Sequence, residues 1–262
     1  MDQANYSNLT LEIIGNVALV KIANPPANTW TLAALQSMQR LVAELNANRN
    51  IYSLVITGAG DKFFSAGADL KVFADGDKAM AQAMARQFGA AFEALSHFRG
   101  VSIAAINGYA MGGGLECAMA CDIRIAETQA QMALPEASVG LLPCAGGTQN
   151  LTWLVGEGWA KRMILCGERI DAATALRIGL VEEVVASGAA LDRALRLAQQ
   201  VAKQSPGSVS ACKTLILGTR TQTHASLLPA EREAFMALFD TQDQQEGVQA
   251  FLQKRAPQWR HA

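Results

Sequence analysis

Histidine is scarce in this chain, with three copies in 262 residues. His97, His224 and His261 stand far apart and form no ligand-spaced cluster with the cysteines, so no metal centre is expected. Long hydrophobic runs are missing too. Gly, Glu or Asn breaks every apolar stretch well before about 18 residues, which excludes a membrane-spanning helix. Met1 to Leu11 lacks a basic segment followed by an apolar run, so no signal peptide is expected. Neither sign of charge dominates: 22 Lys and Arg face 23 Asp and Glu, with a net charge of -1 and a pI near 6.3. Nucleic acid and anionic membrane are therefore not expected partners. Cysteine is sparse and odd in number, at Cys117, Cys121, Cys144, Cys166 and Cys212. The irregular spacing and mostly apolar context read as buried free thiols in a reducing compartment, and hence a cytoplasmic protein.

What is present is a globular composition, with 50% hydrophobic and 17% charged residues. That balance supports a sizeable core and excludes disorder of the whole chain. Leu9 to Ile14 and Val17 to Ile22 read as strands joined by the hairpin signal Gly15-Asn16. Leu32, Leu35, Met38, Leu41, Val42 and Leu45 have helical spacing, with Thr31 as N-cap. Ile51 to Thr57 and Val101 to Ile106 are apolar strands, with a helix over Lys78 to Phe98 between them. A short apolar helix at Leu115 to Ala120 precedes a strand at Asp122 to Ala126. This alternation implies an α/β fold with parallel pairing. Four helical segments follow, at Leu191 to Val201, Ser208 to Leu217, Pro229 to Asp240 and Gln244 to Lys254. The chain divides near residue 200 into an α/β core, 1–200, and a helical region, 201–262.

Two glycine-bearing turns hold the chemistry. In Asn107-Gly108-Tyr109-Ala110-Met111-Gly112-Gly113-Gly114-Leu115-Glu116, three consecutive glycines precede a helix and leave amide donors unpaired at its positive end. Such amides suit an anion or a developing oxyanion, and tight helix–strand packing explains the glycines equally well. The spacing fits neither a dinucleotide fingerprint nor a Walker motif. The second turn is Phe64-Ser65-Ala66-Gly67-Ala68-Asp69. Ala68 and Gly113 are the candidate donors to one carbonyl oxygen. Glu116 is the only charge between Arg99 and Asp122, and Glu136 lies in the apolar stretch Met132 to Gly140. Desolvation raises a carboxylate's pKa toward the range of acid–base catalysis. Each glutamate alone reads more readily as an ordinary helix-start residue, but as a pair they can divide the acid and base roles.

These segments, together with Leu134-Pro135-Glu136 running to Ala145-Gly146-Gly147-Thr148-Gln149, resemble the enoyl-CoA hydratase/isomerase, or crotonase, family. The resemblance extends through Gly167-Glu168-Arg169-Ile170 and Gly179-Leu180-Val181 to Phe251-Leu252-Gln253-Lys254-Arg255. It implies a crotonase-like spiral of β-β-α units and a helical C-terminal region that closes the acyl-CoA site and builds a homotrimer or a hexamer of two trimers. It further implies an acyl-CoA substrate and no cofactor beyond the coenzyme A that substrate carries. On that resemblance the amides of Ala68 and Gly113 hold the thioester oxygen. Glu116 activates the water that attacks C3, and Glu136 protonates C2. Ala66, Ala68, Asp69, Leu70, Lys71, Gly113 and Cys144 contact the substrate. The implied reaction is reversible hydration of a 2-trans-enoyl-CoA to a 3-hydroxyacyl-CoA, as in fatty-acid β-oxidation. Isomerisation of an enoyl-CoA, or another enolate chemistry on the same fold, is the alternative. An RNA-binding relative and an inactive assembly homologue rank below it. Three positions depart from the family pattern. Cys144 stands where glycine is usual and is expected to narrow the pocket or alter its backbone. Asn150 replaces a frequent arginine at a structural or subunit contact. Trp30 is expected near the CoA site.

Overall fold

The computed structural model describes residues 6–261. An antiparallel hairpin, β1 (Leu9–Ile14) and β2 (Val17–Ile22), opens the fold and leads to α1 (Leu32–Ala47). Thr31 caps α1 by accepting from the Ala34 amide, worth about 1 kcal/mol. The chain continues through β3 (Ser53–Gly58), β4 (Phe63–Ser65), α2 (Lys78–Ser96), β5 (Val101–Ile106), β6 (Tyr109–Met111) and α3 (Gly113–Ala120). Then come β7 (Ile123–Glu127), β8 (Gln131–Ala133), α4 (Gly147–Leu165), β9 (Ile170–Asp171), α5 (Ala172–Arg177) and β10 (Glu183–Val185). The last four helices are α6 (Ala190–Val201), α7 (Pro206–Gly218), α8 (His224–Leu238) and α9 (Gln242–Leu252).

The strands form two sheets, ordered β1-β2-β3-β5-β7-β10 and β4-β6-β8-β9. From β2 onward the larger sheet is parallel. Each of β3, β5 and β7 is followed within a few residues by a strand of the smaller sheet and then by a helix. The β-β-α unit therefore repeats as a spiral, the crotonase architecture.

Alternation along the buried strands places their side chains in two cores. Leu54, Ile56, Ala104 and Ile106 face α1, α2 and α3 with Leu35, Met38, Leu41 and Phe92. Val55, Ile103, Ala105 and Ile125 face the opposite side, which α6 covers with Ala190, Ala194 and Ala198. Burial on both faces explains why these strands read as continuous apolar runs.

The element expectations hold with small shifts and one reinterpretation. Pro229 lies inside α8 rather than at its start, because Thr223 caps the helix earlier by accepting from Ser226. The cysteine reading needs correction. Cys117 and Cys121 are buried, but Cys144, Cys166 and Cys212 are exposed, since apolar neighbours in sequence do not fix the face a helix or loop presents. Trp30 lies near the site as expected, its amide donating to the Gly67 carbonyl at 2.8 Å and its backbone bridging to Ala68. Its ring is fully buried in the core, edge-on to Phe92 at 5.5 Å, and does not line the site. Among the described residues no helix is long and apolar enough to cross a membrane.

Candidate active site

The smaller sheet delivers the elements that carry the candidate residues. β6 runs into Gly112, whose φ of 52° and ψ of -125° turn the chain sharply into α3. A side chain at Gly114 would overlap the Ser65 carbonyl, its Cβ lying 2.2 Å from that oxygen. Glycine there lets the loop after β4 press against the start of α3. Gly67, at φ +87°, sits in that loop, and its Cβ position is 3.1 Å from the Gly113 nitrogen. The two turns that the sequence left apart thus converge. Among the described residues, neither the Ala68 nor the Gly113 amide donates to a backbone acceptor. Both line one cavity of about 810 Å³.

Glu116 and Glu136 line the same cavity. Glu116 lies in the first turn of α3 and is only 2% exposed. Its Oε1 accepts from the amides of Ala145 at 2.8 Å and Gly147 at 2.9 Å, which leaves Oε2 uncommitted. Burial pushes its pKa up, and the two amides pull it back by stabilising the anion. Glu136 opens a 3-10 turn, Glu136–Val139. Its Oε2 is buried without a hydrogen-bond partner, and its Oε1 lies 3.0 Å from where a Cβ on Gly112 would sit. Burial pushes its pKa up to about 7; its own amide opposes this, and the Glu116 charge adds to it. Two carboxylates in one apolar cavity are thus differentiated: both are raised by burial, but Glu116 has two amides opposing the rise, while Glu136 is pushed up to about 7.

Ala66, Ala68, Asp69, Leu70, Gly113 and Cys144 line the cavity as expected. Lys71 is exposed and stands outside the lining. The Asp69 carboxylate accepts from the Lys71 amide at 3.1 Å and so caps the short turn Leu70–Phe73. Apolar wall residues that escaped the sequence reading include the pair Ala85 and Phe88 and the pair Leu141 and Leu142. A signal for the second pair was present. Leu141 and Leu142 are adjacent apolar residues in a loop, and they are 43% and 68% exposed. Such a placement serves a ligand rather than a core. Among the described residues no three His, Cys, Asp or Glu side chains gather as a metal ion would require.

Free amides at a helix start, beside two electrostatically distinct carboxylates in an apolar cavity, define a site built for enolate chemistry on a carbonyl compound. The chain belongs to the enoyl-CoA hydratase/isomerase family, whose model matches residues 12–262. It is 40% identical to the 2,3-dehydroadipyl-CoA hydratase of Escherichia coli, over 93% of this chain and 95% of that protein. It is 38% identical to the short-chain-enoyl-CoA hydratase of Clostridium acetobutylicum, over 95% and 96%. Among solved structures, Pseudomonas aeruginosa DspI superposes with a TM-score of 0.95 at 67% identity, over 97% of each chain.

Proposed function

We propose that this protein is an enoyl-CoA hydratase, a hydro-lyase that reversibly adds water to a 2-trans-enoyl-CoA to give a 3-hydroxyacyl-CoA. Relatives named as short-chain, crotonyl-CoA and 2,3-dehydroadipyl-CoA hydratases support the class of reaction. One observation carries the assignment for this chain: both glutamates share a cavity with the Ala68 and Gly113 amides. The thioester oxygen sits between those amides, which stabilise the enolate charge as it develops. Glu116, its anionic form supported by the Ala145 and Gly147 amides, takes the proton of the water that attacks C3. Glu136, neutral up to about pH 7, gives its proton to C2. An isomerase needs only one proton shuttle, so the amide-tuned Glu116 favours hydration.

The proposal extends to the surroundings of the site. Ala66 to Lys71 lie along the coenzyme A. Helices α8 and α9 expose Phe235, Met236, Phe239, Phe251 and Leu252, an apolar surface that suits assembly into a trimer or a pair of trimers. Five free thiols, three of them exposed, fit a reducing compartment such as the cytoplasm.

The test is turnover. Purified protein is expected to bleach the enoyl-thioester absorbance of crotonyl-CoA or a longer 2-enoyl-CoA. Glu116→Gln should lower kcat by about 10²–10⁴ with the fold intact. No turnover across a chain-length series would overturn the hydratase assignment, and conversion of a 3-enoyl-CoA alone would replace it with isomerisation.

A further inference from the structure

A second cavity, of about 540 Å³, lies behind the catalytic one. Cys144 lines both, so its side chain is their common wall. The second cavity is basic. Arg99, Lys213 and Arg220 line it, against the single carboxylate Glu93. Two of the three cations are already committed. Arg99 donates to the carbonyls of Asn46, Asn48 and Ile51. Lys213 donates to the carbonyls of Phe98 and Gly100 and pairs with Asp122 at 2.7 Å.

Arg220 differs from both. It sits two residues past the end of α7, and among the described residues its side chain makes one hydrogen bond, to Asn150 Oδ1 at 3.2 Å. Among the described residues no carboxylate comes within ion-pair distance of it. Burial, and then the nearby Arg124 charge, lower its pKa from the ordinary guanidinium value, while Asp122 opposes weakly. A half-enclosed guanidinium without a counter-ion is costly unless something completes it. Its partner Asn150 uses only its carbonyl in that bond, so the amide Nδ2 remains a donor. That Nδ2 lies 3.0 Å from the Cβ position of Gly146, on the loop whose next amide, that of Gly147, holds Glu116. A continuous line of contacts therefore joins the catalytic carboxylate to Arg220.

We propose that this second cavity is an anion pocket for the far-end carboxylate of an acyl-CoA, with Arg220 as counter-ion and Asn150 as second donor. The proposal rests on the acyl-CoA reading above and names a substrate class within it: thioesters whose acyl chain ends in a carboxylate. Cys144 sets the passage between the two cavities. Though exposed to the cavity, Cys144 is partly desolvated by its walls, and with the charges of Glu116 and Glu136 adding to this its thiol is pushed up to about 11, so it stays neutral and does not repel the incoming anion. The planar fork of arginine suits a carboxylate held by two parallel bonds.

The experiment is calorimetric binding of matched saturated thioesters to the full chain. Adipyl-, suberyl- and sebacyl-CoA are compared with hexanoyl-, octanoyl- and decanoyl-CoA. At low salt, at least one diacid length should bind about tenfold tighter than its neutral match. The gap should close in Arg220→Met, survive in part in Arg220→Lys, and narrow as salt is raised. Three results overturn the proposal: no diacid preference at any length in the wild-type protein, a preference that persists in Arg220→Met, or a changed oligomer size in Arg220→Met with selectivity intact. The last would assign Arg220 to a subunit contact. Hydration of the 2-enoyl-CoA chain-length series by the wild-type protein, measured alongside, separates the two readings. If no 2-enoyl-CoA of the chain-length series is hydrated, the hydratase assignment fails while the binding comparison still decides the role of Arg220.

Discussion

Replacing Glu136 with glutamine should stabilise the protein in alkaline solution while removing its activity. In the folded protein the pKa of Glu136 rises from 4.5 to about 7, chiefly through burial. The native state therefore binds this proton more tightly than the unfolded chain does. The stability so contributed is complete below about pH 4.5 and is lost as pH rises through about 7. At about 1.4 kcal/mol per pKa unit, the loss has an upper limit of about 3 kcal/mol. The carboxyl group is only partly enclosed, and solvent screening reduces the expected value to about 1–2 kcal/mol. Glutamine has the shape of the protonated acid and cannot ionise, so it escapes this loss.

Urea denaturation of wild type and Glu136→Gln at equal protein concentration, near pH 5 and near pH 8, measures the effect. The stability difference should be small near pH 5, about a quarter of its full size because the unfolded carboxylate is already mostly ionised there, and should favour the variant by about 1–2 kcal/mol near pH 8. Glu116, whose pKa is also raised by burial, is present in both proteins and cancels in the comparison. Hydration by the variant should fall by about 10²–10⁴. In the wild type, the hydration rate should decline as Glu136 loses its proton above about pH 7. An equal stability difference at both pH values would refute the claim that Glu136 is held as the neutral acid.

Gly147→Ala tests the amide support of Glu116: the new Cβ would lie 2.7 Å from Glu116 Oε1 and 2.7 Å from Pro143 Cβ, so kcat should drop about 10²-fold by displacement of the base, read in a steady-state assay. Gly113→Ala would set a methyl 2.7 Å from Phe88 Cε1 and shift an oxyanion donor, lowering kcat by about 10²–10³. Adding Phe88→Leu, which clears that ring edge, should recover part of the rate, and no recovery would argue against the displacement. Lys213→Met leaves the Asp122 charge with only the Ser102 amide and hydroxyl as partners among the described residues and should cost about 2–3 kcal/mol in a denaturation experiment.

Much of the fold is legible in the sequence because its strands and helices obey simple periods. The α1 stripe and its Thr31 cap, and the apolar strands β3 and β5, follow from residue spacing alone. The smaller sheet does not. Its strands have two or three residues each, too few to show a period, and they are fixed by pairing with segments distant in sequence. Helix α4 is hidden for a different reason. Glycines 147, 156 and 158 punctuate it, and Gly156 at φ 75° is a kink between two helical pieces. Trp30 stands beside the site through its bridge to Ala68, and only the fold shows that its ring points into the core. Arg220 carried no signal at all, since its meaning depends on which carboxylates the fold brings near it.

The catalytic pair shows most clearly what the fold adds. In the sequence, Glu116 and Glu136 are equivalent: each is a lone carboxylate in apolar company. Desolvation raises both pKa values. The loop before α4 breaks that symmetry. By turning at Gly146, φ +88°, it aims the amides of Ala145 and Gly147 at one oxygen of Glu116 and at neither oxygen of Glu136. Cys144 begins the same loop, so one segment tunes the base and walls the acyl cavity. A substitution in it should therefore alter substrate selection and the pH–rate profile together, whereas one confined to the Leu141–Leu142 rim should alter selection alone.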